Sequence, residues 1–164
     1  MFEFEPDEYI FTKFAFFFKK RKRIKEAALE HAIDLVDIKP RLTIFARAIT
    51  GQPIEIFEAE REGGYRNNNF FLPAKFYDFE TETENLSFYL FRILYLSIQK
   101  NLNLNWNDTL EHDTLESLQK AKETSHQVLE LLFSQFPITE TSHQKFISFY
   151  QNKTTEKQPA DFSI

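Results

Sequence analysis

The chain has 164 residues, with 20 Phe, 3 Gly, no Cys and a net charge of −5. That length suits one domain with a sizeable core, and the lack of Cys excludes a disulfide framework and a thiolate metal site. The acidic balance gives no general reason to bind nucleic acid, and the scarcity of Gly favours helices over a many-stranded sheet.

The opening run Met1-Phe-Glu-Phe-Glu-Pro-Asp-Glu8 is acidic where a secretory signal would be basic, so the expected location is the cytoplasm. Tyr9–Phe18 has acids before it and the basic run Lys19, Lys20, Arg21, Lys22, Arg23 behind it. That polarity suits a helix dipole, and a first helix is expected over about 7–20. The Phe run is also compatible with a strand. Ile24, Ala28, His31, Ala32 and Leu35 then share one side of a second, amphipathic helix reaching Val36, with Glu26, Glu30 and Asp34 at i+4 steps.

Asp37 or a neighbour is placed to cap the next helix, with Pro40 in its first turn, where a missing N–H costs nothing. Leu42, Phe45, Ala46 and Ile49 keep helical spacing. Gly51 suits a left-handed closing residue, and Pro53 blocks resumption. Ile54–Ala59 has strand-forming residues, residues 61–69 supply turn residues, and Phe70–Leu72 offers a return strand. The spacing predicts a β-hairpin whose second strand ends at Pro73. A lone hairpin is unstable in water, so it is expected to lie against the helices.

Ten of the thirteen residues from Leu86 to Ile98 are large and apolar or aromatic. A helix that is apolar nearly all round must be covered on every side, and this one is too short to cross a bilayer, which takes about 20 apolar residues. Thr81-Glu-Thr-Glu84 matches a capping box at its start, and Asn101–Asn105 closes it. Asp108-Thr-Leu-Glu111 is a second cap signature. It leads into a long helix with Leu115, Leu118, Ser125, Leu129, Leu132 and Phe136 on one face, ending at Pro137. A short last helix holds Phe146, Ile147, Phe149 and Tyr150. From Gln151 the composition turns polar, as in a flexible tail. The expected architecture is mainly α: a single-domain helical bundle over residues 1–150 around the apolar helix at about 84–100, with one small β-hairpin at about 54–72, followed by the tail 151–164.

Charge is unevenly spread. Residues 19–25 carry six positive charges, whereas residues 76–140 set Arg92, Lys100, Lys120 and Lys122 against eleven acids, a net of −7. These runs read as solvated faces, or as two surfaces that steer docking on another protein. The basic run beside Phe16–Phe18 also invites a nucleic-acid or membrane-surface reading, against which the short patch and the overall acidity weigh.

The strongest chemical pattern is a repeat, Glu123-Thr-Ser-His126 and Glu140-Thr-Ser-His143. Two Glu-x-x-His motifs with two further glutamates, such as Glu26 and Glu30, are what a di-iron bundle requires. Helix geometry weakens this reading. With Leu118 at the centre of its apolar face, His126 lies about 80° away and Glu123 about 140° away. Arg92 is a single charge in an apolar helix and needs an acid or carbonyl partner, or a binding role. Arg41 and Arg47 flank the helix around Pro40–Thr50 and read as surface ion pairs or stems covering the core. Nucleophilic catalysis has little support: there is no Cys, no Gly-x-Ser-x-Gly elbow and no phosphate-binding Gly-rich loop.

Three segments together carry a family resemblance. They are Ile38-Lys-Pro-Arg-Leu42 with Ala46-Arg-Ala-Ile-Thr-Gly-Gln-Pro-Ile54; Leu72-Pro73 with Asn85 and Tyr89–Ser97; and Leu131-Leu-Phe-Ser-Gln-Phe-Pro137. Their order and spacing, over roughly residues 30–150, resemble the N-terminal region of NorD-type proteins, the nitric oxide reductase activation proteins related to the CbbO rubisco-activase adaptors. The resemblance implies a non-enzymatic adaptor or scaffold. Its expected partners are a MoxR-type AAA+ ATPase and a target enzyme that the pair matures or activates. The family's C-terminal von Willebrand factor A domain carries an Asp-x-Ser-x-Ser motif that this chain lacks, so the likeness is to the N-terminal region alone, as a shortened or stand-alone relative. No Mg²⁺ site, cofactor or catalytic residue is carried over. The candidate binding residues are Arg41, Arg47, Arg92 and the basic run Lys19–Arg23. Self-association through the Phe-rich surface, giving a homo-oligomer, is the remaining expectation.

Overall fold

The computed structural model describes residues 29–59, 63–104 and 114–155. The expected first helix, the basic run Lys19–Arg23, the Asp108–Glu111 cap and the tail beyond Thr155 lie outside them. The described part is mainly helical, with four helices and two small sheets.

Ile33–Asp34 (β1) is extended rather than the end of an amphipathic helix. It pairs antiparallel with Lys75–Phe76 (β5), Ile33 opposite Phe76 and Asp34 opposite Lys75, whose side chains form an ion pair at 3.0 Å. Helix α1, Leu35–Thr50, starts earlier than the proline rule suggests. Pro40 sits in its second turn, not its first. The reason is burial: Leu35, Leu42 and Ala46 share one face and all enter the core, so the helix begins where that face begins. The lost N–H of Pro40 leaves the carbonyl of Val36 without its intrahelical donor, and Val36 lies on the solvent side, where water can serve. At the other end Gly51 is left-handed, φ 64°, and its N–H reaches the carbonyl of Arg47 at 2.9 Å.

The expected hairpin between 54–59 and 70–72 is replaced by a three-stranded sheet. Glu55–Glu58 (β2) runs parallel to Asn69–Leu72 (β4), and Gly64–Arg66 (β3) is the antiparallel partner of β4. The order is β2-β4-β3. A tight antiparallel connection needs a two-residue loop, and Asn67-Asn68 provides one, with Asn67 left-handed at φ 56°. Strand β3 and its turn thus lie within the connection from β2 to β4. Ile56, Phe70 and Leu72 turn inward, while Phe57 stays outside.

Helix α2, Glu82–Asn101, is capped by Thr81. The hydroxyl of Thr81 accepts from the N–H of Glu84 at 3.2 Å and donates to its carboxylate at 2.8 Å. Asn85, Phe88, Tyr89 and every residue from Phe91 to Gln99 are buried. The cover comes from α1, β1, β3, β4 and the two helices that follow. Helix α3, Thr114–Gln135, buries Ser125, Val128, Leu129 and Leu132. Around Pro137 the chain folds back, and the backbone N–H and hydroxyl of Thr139 both donate to the carbonyl of Phe136. Helix α4, Ile138–Thr155, is longer than the short helix expected and continues past Gln151, where the composition turns polar. Its stripe Thr139, His143, Phe146 and Tyr150 keeps helical spacing and is buried throughout. Among the described residues no helix is long and apolar enough to cross a membrane.

Candidate functional site

The polar groups that the fold brings together cluster along α2. Asn85 and Tyr89, one turn apart, are both fully buried. Asn85 Nδ2 donates to the carbonyls of His31 at 2.7 Å and Phe79 at 3.1 Å, and its Oδ1 accepts from the Phe79 N–H at 3.0 Å. The Tyr89 hydroxyl donates to the carbonyl of Pro73 at 2.7 Å and lies 3.5 Å from that of Ile33. Two side chains of one helix thus hold backbone groups of the segments flanking the β1–β5 pair: His31 before β1, Pro73 before β5 and Phe79 after it. Burial, reinforced by the charges of Asp34 and Glu58, pushes the ionisation of Tyr89 far above the usual phenol range. Neither residue reads as a catalyst: each is satisfied by backbone and closed to solvent.

A second tie joins the end of α4 to the segment before α2. The Tyr150 hydroxyl donates to Asp78 Oδ2 at 2.9 Å, and Lys153 Nζ lies 3.5 Å from Asp78 Oδ1. Between the ties sits an aromatic cluster. Phe76 stacks on Phe88 with centroids 3.8 Å apart, and Phe79 meets Phe149 at 4.7 Å and Phe146 at 5.1 Å. A groove of about 560 Å³ opens beside this cluster between α2 and α4. Phe79, Phe146 and Phe149 give it apolar surface, and its ionisable members are Glu80, Glu84 and Lys145. The Glu84 carboxylate is already held by Thr81. Such a lining suits the packing of an apolar group better than proton transfer.

Arg92 is 3% exposed. Its guanidinium lies 5.7 Å from the centre of the Tyr95 ring, and a Cβ on Gly63 would stand 3.7 Å from its Nη2. Burial draws its pKa down to about 10, which leaves it charged at neutral pH. Arg92 is therefore an interior cation rather than an accessible anchor for a ligand. Arg47 is exposed, donates from Nε to the carbonyl of Ile54 at 2.8 Å and is ion-paired with Glu55, which ties the end of α1 to β2. Arg41 is exposed on the outer side of α1.

The two Glu-x-x-His motifs stay apart in character. Glu123, His126 and Glu140 are exposed, while His143 is buried, stacked on Phe91 at 5.7 Å and tilted against Phe133 at 5.3 Å. Among the described residues no group of three or more His, Asp or Glu is arranged to hold a metal ion.

Sequence reasoning singled out Arg92 and missed the Asn85–Tyr89 and Asp78–Tyr150 ties. A usable signal was present for the first: Asn85 and Tyr89 stand at i, i+4 on the side of an apolar helix, where a polar tip has to find a backbone group. No family model matches the chain, and neither a curated protein nor a solved structure matches it.

Proposed function

We propose that the chain is a non-enzymatic adaptor or scaffold domain of NorD type. It acts in the cytoplasm, docks with a MoxR-type AAA+ ATPase and helps that ATPase mature or activate a target enzyme such as nitric oxide reductase. In this reading Glu82–Asn101 is the central helix on which the bundle is organised.

One observation carries the reading. The three separated segments of the resemblance meet in one core: Leu42 and Ala46 of α1, Leu72 of β4, Tyr89, Phe91 and Ile93–Leu96 of α2 and Leu132 of α3, with the Pro73 carbonyl bound by Tyr89. Residues that are scattered along the sequence but packed together are those a shared fold would keep in order. Asn85, Tyr89 and Tyr150 spend their polar tips on internal ties, which fits a scaffold better than a catalyst.

The test is co-elution of the purified chain with its cognate MoxR-type ATPase, with and without ATP. A stable or ATP-dependent complex is expected. Absence of a complex in both states, from protein with a normal helical spectrum and melting transition, overturns the proposal.

A further inference from the structure

We propose that the groove between α2 and α4 is filled by this chain's own N-terminal segment, the Phe residues of 9–18 on its aromatic floor and the basic run Lys19–Arg23 along its acidic edge. The floor is Phe79, Phe146 and Phe149. Glu80 and Glu84 stand on the α2 side and Lys145 on the α4 side. A space of about 560 Å³ is enough for several apolar side chains of a peptide segment.

Where the chain enters the fold selects this occupant. The carbonyls of His31 and Phe79 accept from one nitrogen, Asn85 Nδ2, at 2.7 Å and 3.1 Å. His31 is therefore held beside a residue of the groove's own lining. Lys25 precedes it by six residues and Lys19 by twelve. Even at a helical rise of about 1.5 Å per residue, the basic run covers distances of about 9–18 Å from that point. A tether this short holds the segment at an effective concentration on the order of millimolar, an advantage no separate partner has.

Charge and composition agree with it. Residues 19–25 carry six positive charges, and residues 80–84, which form the α2 edge, hold three acids and no base. Lys145 repels the basic run from the opposite edge, which fixes the side on which the run lies. Seven of the 20 Phe fall in residues 1–18. An aromatic run of that density needs apolar cover, and the groove offers aromatic rings to meet it.

The test uses the full chain alone, without any ATPase, so its outcome is separate from that of the adaptor proposal. The chain has no Cys, so Thr83→Cys gives a single thiol for a nitroxide label. Thr83 is exposed on α2, beside the groove and outside its lining. At low protein concentration the amide signals of residues 9–18 should be lost to the label. They should return when Ser148→Trp, at an exposed position of the lining, plugs the groove. They should also return when Lys19→Glu, Lys20→Glu, Arg21→Glu, Lys22→Glu and Arg23→Glu are made together. Both variants should keep the parent's helical spectrum. Signals of 9–18 that never weaken overturn the proposal, as does a loss that neither variant reverses, because the segment then lies elsewhere. A loss equally strong when the label and the observed amides sit on different copies also overturns it, because a second copy is then the occupant.

Discussion

The hydroxyl of Tyr89 donates to the carbonyl of Pro73 at 2.7 Å, in the middle of the core. A proline ends β4's run toward α2, and a tyrosine on α2 receives the carbonyl that the ladder no longer serves. Tyr89→Phe keeps the ring and strands that carbonyl. The expected loss is about 1–3 kcal/mol of unfolding free energy, read from urea denaturation.

Asn85 makes more bonds, and its loss should cost more. Asn85→Leu leaves the Phe79 N–H and the carbonyls of His31 and Phe79 without their side-chain partner in a buried setting. Destabilisation of about 3 kcal/mol or more follows, with Asn85→Asp no better because it cannot donate. A cost under about 1 kcal/mol would mean that water replaces the side chain there.

The three glycines separate by cause. Gly51→Ala meets no neighbour within 4 Å but puts a Cβ on a left-handed residue, φ 64°, at a cost of about 1–2 kcal/mol. Gly63→Ala drives a Cβ to 2.9 Å from the carbonyl oxygen of Phe71, so backbone must shift, and its cost should be the largest of the three. Gly64→Ala meets nothing within 4 Å and should change the melting temperature least.

Alkaline stability reports on two buried groups of opposite sign. Tyr89 stays neutral in the fold, so above about pH 10 the unfolded chain holds fewer protons, and stability falls by up to about 1.4 kcal/mol per pH unit. Burial lowers folded Arg92 to about 10. From there to its unfolded value, above about 12, the unfolded chain holds more protons and stability rises. The parent should therefore show a shallow slope between these values. Arg92→Met should steepen the fall and Tyr89→Phe should remove it. Equal slopes in parent and Arg92→Met would contradict the opposed pair.

The tie between Tyr150 and Asp78 should be local in its effect. Asp78→Asn removes the charge that faces Lys153 and weakens the acceptor of the Tyr150 hydroxyl. About 1 kcal/mol of stability should be lost, with faster amide exchange concentrated in the last turns of α4. Paired with Tyr150→Phe in a double-mutant cycle, the two changes should be strongly non-additive.

What the sequence revealed was local. Gly51, the Thr81–Glu84 cap and Pro137 mark helix ends because their effects act within a turn of the chain. The start of α1 was misread for the opposite reason: a local preference for proline in the first turn yields to burial of Leu35 beside residues seven and eleven positions away. The β2–β4 pairing was invisible because nothing near Ile56 or Phe70 encodes strand direction, and β4 takes β2 on one edge and Gly64–Arg66 on the other. Of the candidate site residues, the charged ones drew notice by type alone, and Arg41, Arg47 and Arg92 proved to occupy three unlike environments. Asn85 drew less notice, since an Asn beside an apolar run reads as a boundary residue until its three backbone bonds, one to distant His31 and two to Phe79, are seen.

The parallel alignment of β2 and β4 also sets an order of events in folding. The β3–β4 hairpin closes through two residues, the shortest connection between paired strands of this sheet. Strand β2 is expected to pair with β4 after that hairpin has formed, because its pairing joins residues farther apart in the chain. Its contacts span more chain, so they are paid for in loop entropy before they return anything. Substitutions in β3 and its turn should therefore slow folding, whereas those in β2 should chiefly speed unfolding.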